Sequence, residues 1–257
     1  MRAGPLSGRG IVVTRPREQA MALVERIRTA GGDPILFPTI EILPPENPGA
    51  VSSLIACLEE FQLAIFVSPT AAMRGHAMVS ASRAWPENLR VAAVGIGTAR
   101  VLEEHGFHAV ISPVGEADSD ALAALPELQD LHGHSVVIFR GQGGRDWLRT
   151  RLEARGARVE YAECYRRARP HADAGELLAR WQRGGIEAVS ITSAEGLANF
   201  FGMLGPSGGE YLRATPVFVP HPRIAMAAQK LGVRKIVVTG HGDDHTVAEM
   251  AVFFAKV

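Results

Sequence analysis

The chain has 257 residues, and its 27 Lys and Arg balance 27 Asp and Glu, so the formal charge at neutral pH is zero. That balance gives no global field to recruit nucleic acid or an anionic membrane, so an anionic partner has to be met by local clusters. Cys57 and Cys164 are the only cysteines, which excludes a disulfide framework and fits a reducing cytosol. Met1–Arg9 lacks the apolar core of a signal peptide, and no apolar run approaches the ~20 residues of a spanning helix. A soluble, cytoplasmic protein is expected, with no nucleic-acid or membrane partner. The length admits one large domain or two of roughly 100–150 residues.

In chain order, Ile11–Val13 reads as a buried strand. Glu18–Ala30 follows as a helix with apolar residues at Met21, Leu23, Val24 and Ile27, stopped by Gly31-Gly32. Pro34–Leu43 is extended, Val51–Glu60 a helix, Leu63–Val67 a strand and Ala71–Val79 a helix. Val91–Val94 is a strand, Thr98–His105 a helix and Ala109–Ile111 a strand. The same alternation runs from Ser135 to Val238, and Thr246–Phe254 closes the chain as a helix. Short apolar strands alternating with amphipathic helices predict parallel sheets covered on both faces.

The alternation is also a repeat. An offset of about 125 residues carries Ile11-Val12-Val13-Thr14-Arg15 onto Val136-Val137-Ile138-Phe139-Arg140, and Gly31 onto Gly156. Within a residue it carries Phe66–Ala71 onto Ser190–Ala194, Ala93-Val94-Gly95 onto Phe218-Val219-Pro220, and His105-Gly106-Phe107 onto Leu231-Gly232-Val233. The fold class expected is α/β: two flavodoxin-like, doubly wound parallel-sheet lobes with a cleft between them for a small molecule. Phe37–Pro45 and Glu163–Pro170 stand at matching places after the second strand of each repeat. They are either ordinary loops or linkers where the chain crosses between lobes.

The strand-to-helix junctions are rich in small and hydroxyl residues: Thr14-Arg15-Pro16, Ser68-Pro69-Thr70, Gly95-Ile96-Gly97-Thr98, Thr192-Ser193 and Thr239-Gly240. Arg140-Gly141-Gln142-Gly143-Gly144-Arg145 and Pro220-His221-Pro222-Arg223 complete the set. Any one junction reads as a helix cap. Together, with Arg15, Arg140, Arg145 and Arg223 among them, they point to an anionic ligand, a polycarboxylate or a phosphate, held by backbone N–H groups at positive helix ends.

Other motifs carry less. Gly95-Ile96-Gly97-Thr98-Ala99-Arg100 begins like a dinucleotide fingerprint but has Arg100 in place of the third glycine, and Val114–Ala117 offers no clear strand-ending acid. Gly141–Gly144 lacks the ending of a P-loop. His241-Gly242-Asp243-Asp244-His245 has metal-ligand residue types, but Gly242 argues against one helical face, and the acids read as a solvated helix start. No metal and no cofactor are expected. Cys57 reads as core, and Cys164 has no histidine near it in sequence. Tyr165, in Glu163-Cys164-Tyr165-Arg166-Arg167, is either a phenol facing the cleft or a tyrosine packing a linker strand.

Over essentially its full length the chain resembles the uroporphyrinogen-III synthase family. The resemblance rests on Val13-Thr14-Arg15-Pro16, Phe37-Pro38, Phe66-Val67-Ser68-Pro69-Thr70-Ala71, Ala93-Val94-Gly95-Ile96-Gly97-Thr98-Ala99, Arg140-Gly141 with Gly144-Arg145, and Tyr165-Arg166. It implies two α/β lobes joined by a two-stranded linker, the first built from 1–38 with 169–257 and the second from 39–168, with linkers near 37–45 and 163–170. It implies cofactor-free conversion of hydroxymethylbilane to uroporphyrinogen III, with ring D inverted through a spiro intermediate, in tetrapyrrole biosynthesis. Tyr165 matches the family's linker tyrosine and becomes the candidate acid. Thr98 matches a cleft threonine, and the substrate-binding set becomes Thr14, Arg15, Ser68, Thr70, Gly97, Thr98, Arg140, Gly141, Arg145, Thr192, Ser193, His221 and Arg223. Some members carry Ser or Thr where this chain has His221 or Arg223. A monomer is expected, with a transient contact to hydroxymethylbilane synthase. The alternative from another class is a non-catalytic, bilobed sensor of a small anionic ligand; a nucleotide-dependent enzyme is a third reading.

Overall fold

Alternating short strands and helices make up most of the computed structural model, which describes residues 4–115 and 118–256. The readings made above at Met1–Arg9 and Val114–Ala117 fall partly outside these described residues. In chain order the elements begin with β1 (Gly10–Val13), α1 (Arg17–Thr29), β2 (Asp33–Leu36), β3 (Glu41–Leu43), α2 (Pro48–Ala56), β4 (Leu63–Phe66) and α3 (Pro69–Ser80). They continue with β5 (Arg90–Ala93), α4 (Ile96–Glu104), β6 (Val110–Ile111), α5 (Ser119–Ala124), β7 (Ser135–Gly141), α6 (Trp147–Glu153) and β8 (Arg158–Ala168). The last are α7 (Gly175–Gln182), β9 (Ala188–Ser190), α8 (Ala194–Ala214), β10 (Val217–Val219), α9 (Pro222–Lys230), β11 (Ile236–Val238) and α10 (Asp243–Phe254).

The chain divides into two compact units, one formed by Met1–Glu41 with Ala168–Val257 and the other by Ile42–Arg167. The first holds a sheet in the order β11-β10-β9-β1-β2, all of its pairs parallel. The second holds the order β3-β8-β7-β4-β5-β6, parallel from β8 through to β6, with β3 on the edge beside β8. The expectation of an α/β fold with parallel sheets is met.

The strands are apolar at consecutive positions because both faces of each sheet are covered. In β1, Val12 joins the cluster with Phe200 and Trp181, whereas Ile11 and Val13 pack with Leu23, Ile27 and Met250 on the other face. In the second unit, Ala64 and Phe66 of β4 and Val137 and Phe139 of β7 face α3. Leu63, Ile65, Val136 and Ile138 face α5 and α6, with Leu122, Leu148 and Leu152. Each alternation sorts one strand into two cores.

Several boundaries moved for identifiable reasons. Met21, read as part of the apolar face of α1, is 52% exposed, and the buried face is Ala20, Leu23, Val24 and Ile27. Helical spacing from Leu23 reaches Ala20 but not Met21. The extended run Pro34–Leu43 is broken between β2 and β3, where the Thr39 N–H and hydroxyl both donate to the Thr14 carbonyl. The helix read over Val51–Glu60 starts earlier, at Pro48 behind the Asn47 cap, and gives way to a 3₁₀ turn at Leu58–Glu60. α5, capped by Asp118, was not expected at all.

Gly75, in the middle of α3, shows how tightly the second unit packs. A Cβ there would lie 2.6 Å from Phe139 Cδ1 and 3.2 Å from Phe66 Cε1, in a ring pair stacked at 4.6 Å. Alanine is favoured over glycine in a helix by about 1 kcal/mol, whereas overpacking a dense core costs about 1–3 kcal/mol. Steric cost wins, so Gly75→Ala should lower the urea midpoint. Gly49→Ala in α2, where the nearest atom is 3.5 Å away, should leave the midpoint unchanged or raise it.

Candidate functional site

In the second unit the carboxyl ends of β4, β7 and β8 converge on one tyrosine. β7 and β8 run in register until Arg140 pairs with Glu163 and Gly141 pairs with Tyr165, so Cys164 is an extra residue. The bulge changes the parity of β8. Tyr161 packs with the α6-side core, whereas Ala162, Cys164 and Tyr165 all belong to the α3-side core. A regular strand would have turned Tyr165 to the opposite face from Cys164. The ring lies against Gly141, where a Cβ would meet its Cζ at 2.6 Å, so no larger residue fits at that strand end. The Gln142 N–H donates to the Tyr165 carbonyl at 2.8 Å and fixes the backbone.

The Tyr165 hydroxyl lies 3.3 Å from Ser68 Oγ. Ser68 is the N-cap of α3, its hydroxyl accepting from the Ala71 N–H at 3.1 Å, with Pro69 in the first turn. Thr70 is buried in that turn. Pro69 also lies near the next junction, since a Cβ at Gly97 would be 3.9 Å from its Cγ. Gly97 is exposed and Thr98 buried at the start of α4. Ile96, between Gly95 and Gly97, is 67% exposed, an apolar surface at a strand end that the motif reading passed over.

Arg140 is engaged by its own loop. Its Nε donates to the Gly141 carbonyl, one terminal nitrogen to Asp146 Oδ1 at 3.3 Å, and the other to the Gly143 carbonyl. The guanidinium sits 4.3 Å over the Tyr161 ring, whose hydroxyl donates to Asp146 at 3.0 Å. Burial, followed by that bond to Asp146, raises the Tyr161 pKa. Gly143 and Gly144 have positive φ, which lets the loop close around the cation. Arg145 is exposed and makes no ion pair among the described residues.

The first unit repeats this division between engaged and open groups. The buried Thr14 hydroxyl donates to the Ser190 carbonyl at 2.8 Å, joining the ends of β1 and β9. Arg15, just before α1, is paired with Asp243 at 2.5 Å, and Arg26 of α1 with Asp244 at 2.6 Å, both acids of the His241–His245 stretch lying in the first turn of α10. Ser193 caps α8, accepting from the Gly196 N–H at 2.9 Å, and Thr192 is half-buried beside it. His221 caps α9 through Nδ1, which accepts from the Arg223 N–H at 3.0 Å. Arg223 is exposed and has no ion pair among the described residues.

Tyr165 therefore contacts both Ser68 and Gly141, and Pro69 lies near Gly97. Arg15 and Arg140 carry charges already answered within their own units. Arg145 and Arg223 remain as open cations beside helix starts. The partners Asp146, Tyr161 and Asp243 were not legible as such, because the two acids stand at helix starts whose sequence also fits a plain cap and Tyr161 lies inside β8. Cys164 is 2% exposed, its thiol donating to the Arg140 carbonyl, and burial pushes its pKa up to about 12.

A family model described as "Uroporphyrinogen-III synthase HemD" matches residues 21–247. The uroporphyrinogen-III synthases of Salmonella typhimurium and Escherichia coli are 34% and 33% identical to this chain over 236 residues, covering 91% of it and 96% of each relative. A crystal structure of a mutant uroporphyrinogen III synthase from Thermus thermophilus aligns with 97% of this chain and 100% of its own, at a TM-score of 0.66 and 19% identity. That of uroporphyrinogen-III synthetase from Helicobacter pylori covers 95% and 99%, at 0.59 and 16%. At these identities the two structures speak to the fold.

Two outcomes follow from the site. Arg140→Ala should cost about 2–3 kcal/mol of stability, because it removes a buried cation whose charged hydrogen bonds tie down an exposed loop, whereas Arg145→Ala should stay within about 0.5 kcal/mol; urea unfolding measures both. The folded Cys164 pKa is raised, so its contribution to stability is whole below the unfolded thiol's pKa of about 8.5 and is lost as pH climbs toward about 12. Iodoacetamide at pH 8 should label half-buried Cys57 and spare Cys164 until urea is added. Equal labelling rates would contradict that burial.

Proposed function

The chain belongs to the uroporphyrinogen-III synthase family, cyclising lyases of tetrapyrrole biosynthesis, and from that premise we propose how its residues act on hydroxymethylbilane. The order β2-β1-β9-β10-β11 in one sheet and β8-β7-β4-β5-β6 in the other supports reading the chain as two copies of one flavodoxin-like unit. In that reading the copies have exchanged halves, and the segments near 37–45 and 163–170 form a two-stranded linker.

The substrate is a linear tetrapyrrole bearing acetate and propionate chains, a distributed set of anions rather than one. Helix starts at Gly97-Thr98, Thr192-Ser193 and His221, with the open cations Arg145 and Arg223, suit that distribution. Arg15 and Arg140 contribute by shaping their loops, since their charges are already paired.

The observation that carries the chemical assignment is the Tyr165 phenol, seated on Gly141 with its oxygen 3.3 Å from Ser68 Oγ. A phenol offers a proton without bringing charge into a site for a polyanion. Tyr165 gives its proton to the terminal hydroxyl on ring A, and the C–O bond breaks with its electron pair leaving in water. The substituted end of ring D attacks the resulting electrophile to form the spiro intermediate. Fragmentation and reclosure invert ring D, and the proton shed when the last pyrrole regains aromaticity returns to the phenolate. Water is the sole by-product and no oxidant is needed. The pyrroles supply the electron push, so the protein has to place one acid and hold the chain against the competing closure to isomer I.

Tyr165→Phe tests the assignment. General acid assistance is typically worth about 10²–10⁴ in rate, so turnover should fall by that order without vanishing. Isomer I, the product of unassisted closure, should rise against isomer III. Wild-type turnover with an unchanged isomer ratio, in a protein folded by circular dichroism, would reduce Tyr165 to a packing residue.

A further inference from the structure

We propose that Ser68 is a positioning residue for Tyr165, freeing the phenol proton and steadying the phenolate, rather than a ligand of a substrate carboxylate. The inference rests on the acid role just assigned. Three observations carry it. The first is the contact itself, 3.3 Å between the two hydroxyl oxygens, in which either can be the donor. The second is that Ser68 Oγ already accepts from the Ala71 N–H at the start of α3. A hydroxyl has one proton to give and two lone pairs to accept with, and since one lone pair of Ser68 is filled by the helix, its hydrogen is assigned to the phenol oxygen. The third is the bulge at Cys164, which turns the Tyr165 ring to the α3 face, where Gly141 leaves room for it.

In the proposed arrangement Ser68 is the donor of the pair. When Ser68 donates, the phenol oxygen accepts and its proton points away from Ser68 toward the leaving hydroxyl. As the Tyr165 O–H bond breaks, negative charge builds on the phenol oxygen, and the Ser68 O–H becomes a hydrogen bond to an anion, which is stronger than one to a neutral partner. That gain appears in the transition state and not in the ground state, so it raises kcat without tightening KM. The fixed end of α3 supplies the rigidity, because Ser68 belongs to a helix cap and not to a free loop.

The test is a double-mutant cycle on the full chain with hydroxymethylbilane, following rate and isomer ratio at a temperature where all variants are folded. Ser68→Ala should lower kcat about three- to tenfold, the worth of one hydrogen bond, and leave KM unchanged. Ser68→Thr, which keeps both hydroxyl and cap, should restore most of the rate. In the Tyr165→Phe background, which has no phenol oxygen, Ser68→Ala should cost less than twofold. The same loss in both backgrounds overturns the coupling while leaving the acid role standing. A raised KM with kcat unchanged also overturns it and makes Ser68 a carboxylate ligand. A silent Tyr165→Phe overturns the acid assignment and this inference with it. Loss of the α3 cap alone, the structural alternative, would show as lower thermal stability with equal kcat losses in both backgrounds.

Discussion

Parallel pairing is the constraint from which the rest of each unit follows. Two neighbouring parallel strands cannot be joined by a tight turn, so the chain has to cross over a sheet face, and here the crossings are helical. Helices on both faces make the strand interiors apolar at consecutive positions, as in β1, β4 and Val136–Phe139 of β7, and the parallel strands send their carboxyl ends to one edge of each sheet. Each helix that follows starts at that edge. Hydroxyl caps, unpaired backbone N–H groups and positive dipole ends gather there as a consequence of topology. A polyanion site needs little beyond this.

The edge still requires precision, and two local irregularities provide it. The extra residue Cys164 in β8 rotates Tyr165 onto the α3 face, and Gly141 at the end of β7 removes the side chain that would block the ring. Cys164 tolerates this place because it is small and apolar when protonated. Burial with the Arg140 carbonyl as its partner holds it in that form. The cysteine fills space between β8 and α3 and is spared thiol chemistry by the same burial that makes it useful.

Much of this was legible from residues. Runs such as Ile11–Val13 and Leu63–Val67 and the glycine stops gave the α/β order, because burial on two faces leaves a plain apolar signature. The strand-end hydroxyls stood out for the same reason, as polar residues following apolar runs. What stayed hidden depends on tertiary registration. Nothing in Glu163-Cys164-Tyr165 marks a bulge, since neither glycine nor proline is present. The exposure of Met21 follows from a helix phase that one extra apolar residue obscures. The arginines were the larger difficulty. A sequence shows a cation beside a helix start but not the carboxylate that answers it, and Asp243 lies 228 residues from Arg15.

That pairing changes how anion recognition is to be understood here. A chain with zero formal charge that spends Arg15 on Asp243 and Arg140 on Asp146 has few cations left at the strand ends. The paired arginines add directional hydrogen bonds and loop rigidity, but little net field. On the proposed reading, recognition of a many-armed carboxylate falls mainly to backbone dipoles, which carry no counterion, lose no side-chain entropy and are fixed by the fold before the ligand arrives. Such a surface spreads modest attraction over many arms rather than concentrating it on one. With Tyr165 as the proposed acid, the reacting end of the ligand would meet a neutral donor, where a lysine or arginine would bind a carboxylate in its place. A phenol held by a serine cap is a proton source compatible with that division, because it can act on a hydroxyl without competing for the acids around it.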